Sequence, residues 1–270
     1  MDSSTAHRLI RLNQQFYQTF ARQFTATRER LQPGVLRVLE TIPQDADILD
    51  LGCGNGELGR ELARRGYQGQ YLGLDFSREL LDAARAGSSG SSNIHYAQAD
   101  LSSPQWDVSV VSGQGAGGSE RWTVDGSQSA VGGRQSQFDV ILAFAVLHHL
   151  PGRDFRLQTL RKVYSLLLPN SRFIHSNWQF LNSPRLIARI QPWEAIGLHT
   201  AQVDAGDHLL DWRRGGYGLR YVHQFNEREL NDLATETGFA VLETFYSDGQ
   251  EGNLGLYQVW GKRSTFNVER

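Results

Sequence analysis

Apolar residues recur along this chain in two periods, and the way the two alternate predicts its architecture. Short runs with few polar interruptions, at residues 48–51, 71–74, 94–99 and 172–176 and within 138–150, read as buried strands. Between them, Leu58, Leu62 and Ala63, then Leu80, Leu81 and Ala84, then Phe155, Leu160, Val163, Tyr164 and Leu167 follow helical spacing. Strands alternating with helices predict an α/β domain on a mostly parallel sheet. Gly66 suits the end of the first of these helices and Ser77 the cap of the second. Pro169 and Asn170 stop the third, with Asn170 tolerating a positive φ.

The ends of the chain follow a different pattern. Leu9, Leu12, Phe16, Phe20 and Phe24 share one helical face, with Arg8, Arg11, Gln15 and Arg22 elsewhere, so this amphipathic helix must pack on something. After a break at residues 25–28, Pro33 opens a second helix carrying Leu36, Leu39 and Ile42. Asn226 and Glu229 begin a last helix with Leu230 and Leu233, closed by Gly238, and two antiparallel strands follow at 239–246 and 255–260. The predicted division is a helical cap at 1–45, a core at 46–177, an insertion at 178–225 and a C-terminal helix with strands at 226–270. Within the core, a tract at about 102–137 is rich in Gly, Ser and Gln. It is expected to be a mobile hairpin, 108–111 against 122–124, or a disordered loop, and the stretch from Leu101 to Gln137 is expected to be dispensable for folding.

Candidate chemistry concentrates where the first strand ends. Asp50, Gly52, Cys53, Gly54, Asn55 and Gly56 form a strand-to-helix loop with glycines at every second position. Side chains at Gly52 or Gly54 would hold a ligand off the backbone. The spacing is G-x-G-x-G rather than the G-x-G-x-x-G of pyrophosphate binders. The carboxylate of Asp50 repels a pyrophosphate and attracts the ammonium of a methionine-like group, which points to S-adenosylmethionine. The second strand ends in Asp75, placed to accept from two ribose hydroxyls, and the third in Asp100, placed to accept from an adenine amine.

Composition narrows the class only a little. The 270 residues are 40% hydrophobic and 21% charged, as in an ordinary globular protein. No apolar run reaches the ~18 residues of a membrane span, and Met1 to Ile10 lacks a signal-peptide core, so the reading is cytoplasmic. The single cysteine, Cys53, excludes a disulfide framework and a cysteine zinc site, and no metal site is expected. A formal net charge of −2 does not advertise nucleic-acid binding, though arginines thicken at Arg22 to Arg37 and Arg213 to Arg220.

From Asp50 to about Trp178, including Phe138 to Leu150, the sequence resembles class I S-adenosylmethionine-dependent methyltransferases. The resemblance implies a Rossmann-like, seven-stranded, mostly parallel sheet with helices on both faces. It places the cofactor across the C-terminal strand ends, against the Asp50 to Gly56 loop, Asp75, Phe76, Asp100, Leu101 and Ala143. Over most of the chain a narrower group is similar. Tyr17 through Arg28, Ala145 through Leu150, Asp207 through Arg213 and Arg220 through Leu230 resemble the eukaryotic tRNA wobble-uridine carboxymethyl methyltransferases. The match departs at Asp211, where that family usually has proline, and in the tract after Asp100. That family esterifies a uridine carboxylate in tRNA and works with a small zinc-binding activator subunit.

The resemblance implies a tRNA acceptor, no DNA and no membrane. Arg28 and His148 would orient the acceptor, and Tyr17, Trp178, Arg213, Arg220, Tyr221 and His223 would contact the substrate. The aromatic and arginine residues of the insertion suit an unstacked base and its phosphates, and equally a small subdomain core. Two other readings stay open. One is O-methylation of a phenolic or quinone-like metabolite, which needs an acid/base residue and an apolar pocket. The other is a cofactor-binding regulator without catalysis.

Overall fold

The computed structural model describes residues 1–25, 30–103, 106, 108–112, 120–124 and 137–262. In chain order the elements are α1 (Ser3–Thr25), α2 (Pro33–Leu39), β1 (Ile48–Leu51), α3 (Glu57–Arg64), β2 (Tyr71–Asp75), α4 (Arg78–Gly87), β3 (Ile94–Gln98), β4 (Val108–Ser112), β5 (Glu120–Val124), β6 (Phe138–Phe144) and α5 (Arg153–Leu166). There follow β7 (Leu167–Trp178), α6 (Pro184–Ile187), β8 (Ile190–Gln191), β9 (Asp207–Trp212), β10 (Gly218–His223), α7 (Glu227–Glu236), β11 (Phe239–Ser247) and β12 (Gly255–Lys262). Seven strands form one sheet in the order β11-β12-β7-β6-β1-β2-β3. All run parallel except β12, which is antiparallel to both of its neighbours.

Each face of the sheet buries its own core, because β1, β2 and β6 are apolar on both sides. One face packs under α5 and α7, where Leu160, Val163, Leu166, Leu230 and Leu233 meet Phe173, Phe239 and Trp260. The other packs under α2 and α3, where Val38, Leu39, Leu58 and Leu62 meet Tyr71, Ile174 and Tyr257. Asn170 has φ +64, as a left-handed residue between α5 and the paired part of β7 requires. The backbones of β4 and β5 pair antiparallel from Val108 opposite Val124 to Ser112 opposite Glu120.

The apolar face of α1 is covered by the segment after β7. Leu9 packs with Trp193, Leu198, Leu209 and Tyr221, while Phe16, Tyr17 and Phe20 pack with Trp212. That segment carries its own antiparallel sheet, β10-β9-β8. Asn13 of α1 joins it as a side chain imitating a strand: its Oδ1 accepts from Tyr221 N at 2.8 Å and its Nδ2 donates to Tyr221 O at 3.1 Å.

One expectation about the tract after Asp100 needs correction. Trp106 is 4% exposed inside the core cluster under α5, and the Leu101 carbonyl accepts from Thr159 Oγ1 at 3.3 Å. An aromatic side chain this large removes apolar surface from water, so it belongs to the fold and not to a removable loop. The expectation of dispensability narrows to 107–136, a stretch whose strand β5 lies beside β3. Replacing those residues with a short Gly/Ser linker, with Trp106 kept, should cost about 1 kcal/mol or less in urea unfolding, since loop length enters only logarithmically. A larger loss would mean that the tract packs on the domain.

Candidate active site

The order of strands reverses between β6 and β1, and open α/β sheets hold ligands at the C-terminal ends of the strands at such a point. A cavity of about 230 Å³ lies there, lined by the loop after β1, the ends of β2 and β6, the segment 99–102 after β3, and α1. The loop is folded back by Gly52 N and Cys53 N, which both donate to the Leu74 carbonyl at 2.7 and 2.9 Å. Gly52 has φ +72, and a Cβ there would sit 2.6 Å from Val146 Cγ2. Gly54, at φ +56, has nothing within 4 Å of the place a Cβ would take, which leaves open space beside the backbone for a ligand. Cys53 and Asn55 line the cavity too, while Gly56, at φ +76, starts α3.

The three strand-end acids all reach this cavity. Asp50 is 4% exposed, and its Oδ2 accepts from Tyr71 Oη at 2.6 Å. Burial pushes its carboxyl up to about 7, with nearby Asp75 adding to the rise and the Tyr71 bond opposing it. Asp75 accepts from Gly54 N through Oδ2 at 3.0 Å and from Ser77 N through Oδ1 at 2.9 Å, so it braces the glycine loop. Asp100 accepts from Gln14 Nε2 at 2.8 Å and from Ser102 N and Oγ at 2.9 and 2.6 Å. Phe76 and Leu101 complete this side. Ala143 does not: it is fully buried in the core under α5, and Phe144, Ala145 and Val146 line the cavity instead. Successive side chains of a strand point to opposite faces, and the cavity begins only where β6 ends. Ala145 itself has φ +59, an unusual conformation for a residue with a Cβ.

Opposite the acids, His149 and not the expected His148 lines the cavity. His148 is 1% exposed, away from the cavity, and its Nδ1 accepts from Trp178 N at 3.3 Å. His149 lines the cavity, because adjacent residues of the tight turn Leu147–His149 point different ways. Its Nδ1 lies 3.3 Å from the Tyr221 carbonyl, which can only accept, so the proton sits on Nδ1. Its Nε2 is then the acceptor for Tyr17 Oη at 2.7 Å. Tyr17 and Gln14 reach the cavity from α1, one helical turn apart. The sequence reading passed over His149 and Gln14; two adjacent histidines after a strand were the signal for the first, and helix spacing from Tyr17 for the second.

The remaining substrate candidates lie behind the cavity, not in its wall. Tyr221 and His223 are buried in a polar network: Tyr221 Oη donates to Asp207 Oδ1 at 2.7 Å, and His223 Nδ1 meets the same oxygen at 2.6 Å. Strand alternation turns both inward, so they hold the fold and do not face a substrate. Arg213 is exposed and pairs with Asp211 Oδ2 at 2.6 Å. Trp178 is half-buried under the guanidinium of Arg220 at 4.9 Å. Arg28 lies outside the described residues. Among the described residues no cluster of groups suits a metal ion, and no helix is long and apolar enough to cross a membrane.

A glycine loop without a pyrophosphate signature, acids at three successive strand ends and free space beside Gly54 define a class: S-adenosylmethionine-dependent methyltransferases of the class I fold. The chain belongs to the methyltransferase domain family, whose description matches residues 20–244. A methyltransferase of Encephalitozoon cuniculi is 26% identical over 230 residues, 84% of this chain and 87% of that one. The tRNA (carboxymethyluridine(34)-5-O)-methyltransferase ALKBH8 of Macaca fascicularis is 23% identical over 167 residues, 61% of this chain but only 19% of its own. The 2-phytyl-1,4-naphtoquinone methyltransferase of Thermosynechococcus vestitus is 48% identical over 60 residues, 22% of this chain and 27% of its own.

Two solved structures share the fold. The 1,6-didemethyltoxoflavin-N1-methyltransferase of Burkholderia thailandensis, holding S-adenosylhomocysteine, has a TM-score of 0.61 at 15% identity over 98% of this chain and 92% of its own. A Haloferax volcanii methyltransferase in complex with the Trm112 activator has a TM-score of 0.58 at 14% identity over 93% and 97%.

The state of Asp50 gives a pH dependence. If Asp50 receives a ligand ammonium, it does so as the ionised carboxylate, which forms only as pH rises through about 7. The amine of the ligand, flanked by its own carboxylate, stays charged beyond the range of a peptide terminus. Affinity for S-adenosylhomocysteine should therefore fall about tenfold per pH unit on the acid side and level off above it. Calorimetry from pH 5.5 to 8.5 tests this, with Asp50→Asn expected to flatten the acid limb; an unchanged acid limb in that variant would remove Asp50 from ammonium binding.

Proposed function

We propose that the protein esterifies a carboxylate on a modified wobble uridine of tRNA, and that a small activator subunit assists it, as Trm112 partners the Haloferax volcanii methyltransferase. The cofactor supplies an electrophilic methyl group on a sulfonium. Asp50, Asp75 and Asp100 would hold its ammonium, ribose and adenine, and the Gly52 to Gly56 loop would let it lie against the backbone. A carboxylate acceptor is already ionised, so this chain need not remove a proton from it. What the chain must add is position and a dry site. Tyr17, fixed by His149, and the apolar rims from Ile10, Val146 and Leu150 supply that.

The observation that carries the acceptor class is the turn between β9 and β10. It exposes Arg213, Arg214 and Tyr217 together, next to the end of α1: Gly215 abuts Gln23 and Gly218 abuts Phe20. Two residues on, Thr25 lines the cavity. An exposed tyrosine beside two guanidiniums at a cavity rim suits a single-stranded loop whose bases stack and whose phosphates are neutralised. The similarity to the wobble-uridine enzyme over 61% of the chain supports the same acceptor. Labelled-methyl transfer to bulk tRNA lacking the ester, set against a metabolite extract, tests this; label appearing only in small molecules would reject it.

A second reading rests on the Tyr17 and His149 pair, which is built as an acid/base device and would serve a phenolic acceptor. The pH profile separates the two. A carboxylate with a pKa of roughly 4 is ionised throughout, so at saturating S-adenosylmethionine, which removes the effect of Asp50 on cofactor binding, single-turnover rates should stay nearly flat from about pH 6 to 9. A rate rising tenfold per unit near neutrality, abolished in His149→Ala, would favour the phenol.

A further inference from the structure

We infer that Arg220 is an anion-binding subsite for the acceptor, a site that takes a carboxylate or phosphate oxygen group. Arg220 is 8% exposed on β10, yet its side chain has no hydrogen bond or ion pair among the described residues, and its Nε is buried without a partner. Three aromatic rings surround the guanidinium instead: Trp178 at 4.9 Å, Phe16 at 5.4 Å and Trp212 at 5.8 Å from Cζ.

Ring faces attract a cation but do not accept its N–H bonds, so the cage leaves the donors of the guanidinium unused. A buried charge normally has a counter-charge, because the interior does not solvate it. The carboxylate on the paired strand cannot serve. Asp211 stands opposite Leu219, one position out of register with Arg220, so alternation turns it to the other face, where Arg213 engages it. The other buried arginine of this region, Arg156, meets Glu229 at 3.0 Å and Asp207 at 3.6 Å, which shows how this chain treats a cation that is only structural.

The cage sits directly behind the cavity wall formed by Tyr17 and His149, and none of its four residues lines the cavity itself. Phe16 is next to Tyr17 and packs edge-on against it at 5.1 Å. Tyr221, next to Arg220, gives its carbonyl to His149, and the backbone of Trp178 donates to His148. An anionic group entering past Tyr17 would complete the guanidinium with the planar, forked geometry that arginine offers. The class of ligand deepens the proposed carboxylate acceptor and rests on it; the existence of an anion site does not.

Sodium acetate, sodium phosphate, neutral acetamide and sodium chloride at matched ionic strength are the probes, and the Arg220 Nε–Hε resonance of ¹⁵N-labelled protein is the readout, assigned by its disappearance in Arg220→Lys. Acetate should shift that resonance saturably, and acetamide and chloride should not. A response to phosphate alone would make the source a nucleotide phosphate, and the subsite stands. No response beyond that of chloride overturns it. Arg220→Met should remain folded with a melting temperature within a few degrees of wild type, since no ion pair is lost. A large drop would make the cation structural and overturn the inference from the other side. Failure to methylate any tRNA, with the acetate response intact, would reject the acceptor reading and leave the anion site standing.

Discussion

Replacing Arg156 with methionine is expected to destabilise the protein by about 3–5 kcal/mol, the usual cost of removing one partner from a buried charge network. Arg156 is 2% exposed on α5 and touches four other segments. Its Nε donates to the Leu150 carbonyl at 3.0 Å, Nη1 to Glu229 Oε1 at 3.0 Å and Nη2 to Tyr221 Oη at 3.0 Å, with Asp207 Oδ1 at 3.6 Å. Methionine fills much of the volume and leaves Asp207 buried without its cation. Glu229, a quarter exposed, keeps access to water and contributes less to the loss.

The sign with pH follows from Asp207. Burial raises its carboxyl, but bonds from His223 and Tyr221 and the charges of His223 and Arg156 outweigh that, and it is held below its ordinary 3.8. A depressed acid contributes stability above its unfolded pKa, and loses it as pH falls through the folded value. The gap between wild type and Arg156→Met should therefore be full at pH 7 and narrow below about pH 4. Urea unfolding with unchanged m-values reads it directly. A gap under about 1 kcal/mol at pH 7 would mean that the network is not a hinge of stability.

The parts of this molecule that a local pattern controls were legible before any coordinates. Strand and helix periods place the individual strands, because each central strand is buried on both faces and must be continuously apolar, while the single seven-stranded sheet followed from the family resemblance. The glycine loop and Asp50, Asp75 and Asp100 were legible because strand ends repeat one geometry. What failed was direction within a turn. His148 and His149 are neighbours in the chain, and only the tight turn decides which ring meets the cavity and which the Trp178 amide. Ala143 failed likewise, since where β6 stops being core depends on how far its partners run.

Tyr221 and His223 were misread for a different reason. Their motif marks a strand rich in polar and aromatic residues, but the strand's inward face meets Arg156, which lies 65 positions before Tyr221 and carries no local signal. Trp106 in a Gly- and Ser-rich neighbourhood hid in the same way, as one aromatic residue whose partners on α5 are distant in sequence. Long-range pairs of this kind are fixed by packing, and composition averages them out.

Alanine at Asp75 is expected to weaken S-adenosylhomocysteine binding by about 3 kcal/mol, or a hundredfold or more. A carboxylate offers about four lone-pair directions. In this structure Gly54 N takes one on Oδ2 and Ser77 N takes one on Oδ1, which leaves one on each oxygen for a pair of adjacent ribose hydroxyls. Each bond to a charged acceptor is worth at least ~1.5 kcal/mol, so losing both gives the figure above. The same substitution strips the glycine loop of its brace, and the two amides are left to water or to nothing. Asparagine disturbs both roles as well. Its oxygen can still accept from one amide, but its NH₂ group confronts the other donor, so Asp75→Asn should lower stability without ligand as well as affinity. Calorimetry for affinity and urea unfolding for stability give two numbers per variant. Affinity within threefold of wild type in Asp75→Ala would remove the ribose role and leave Asp75 as a loop brace alone.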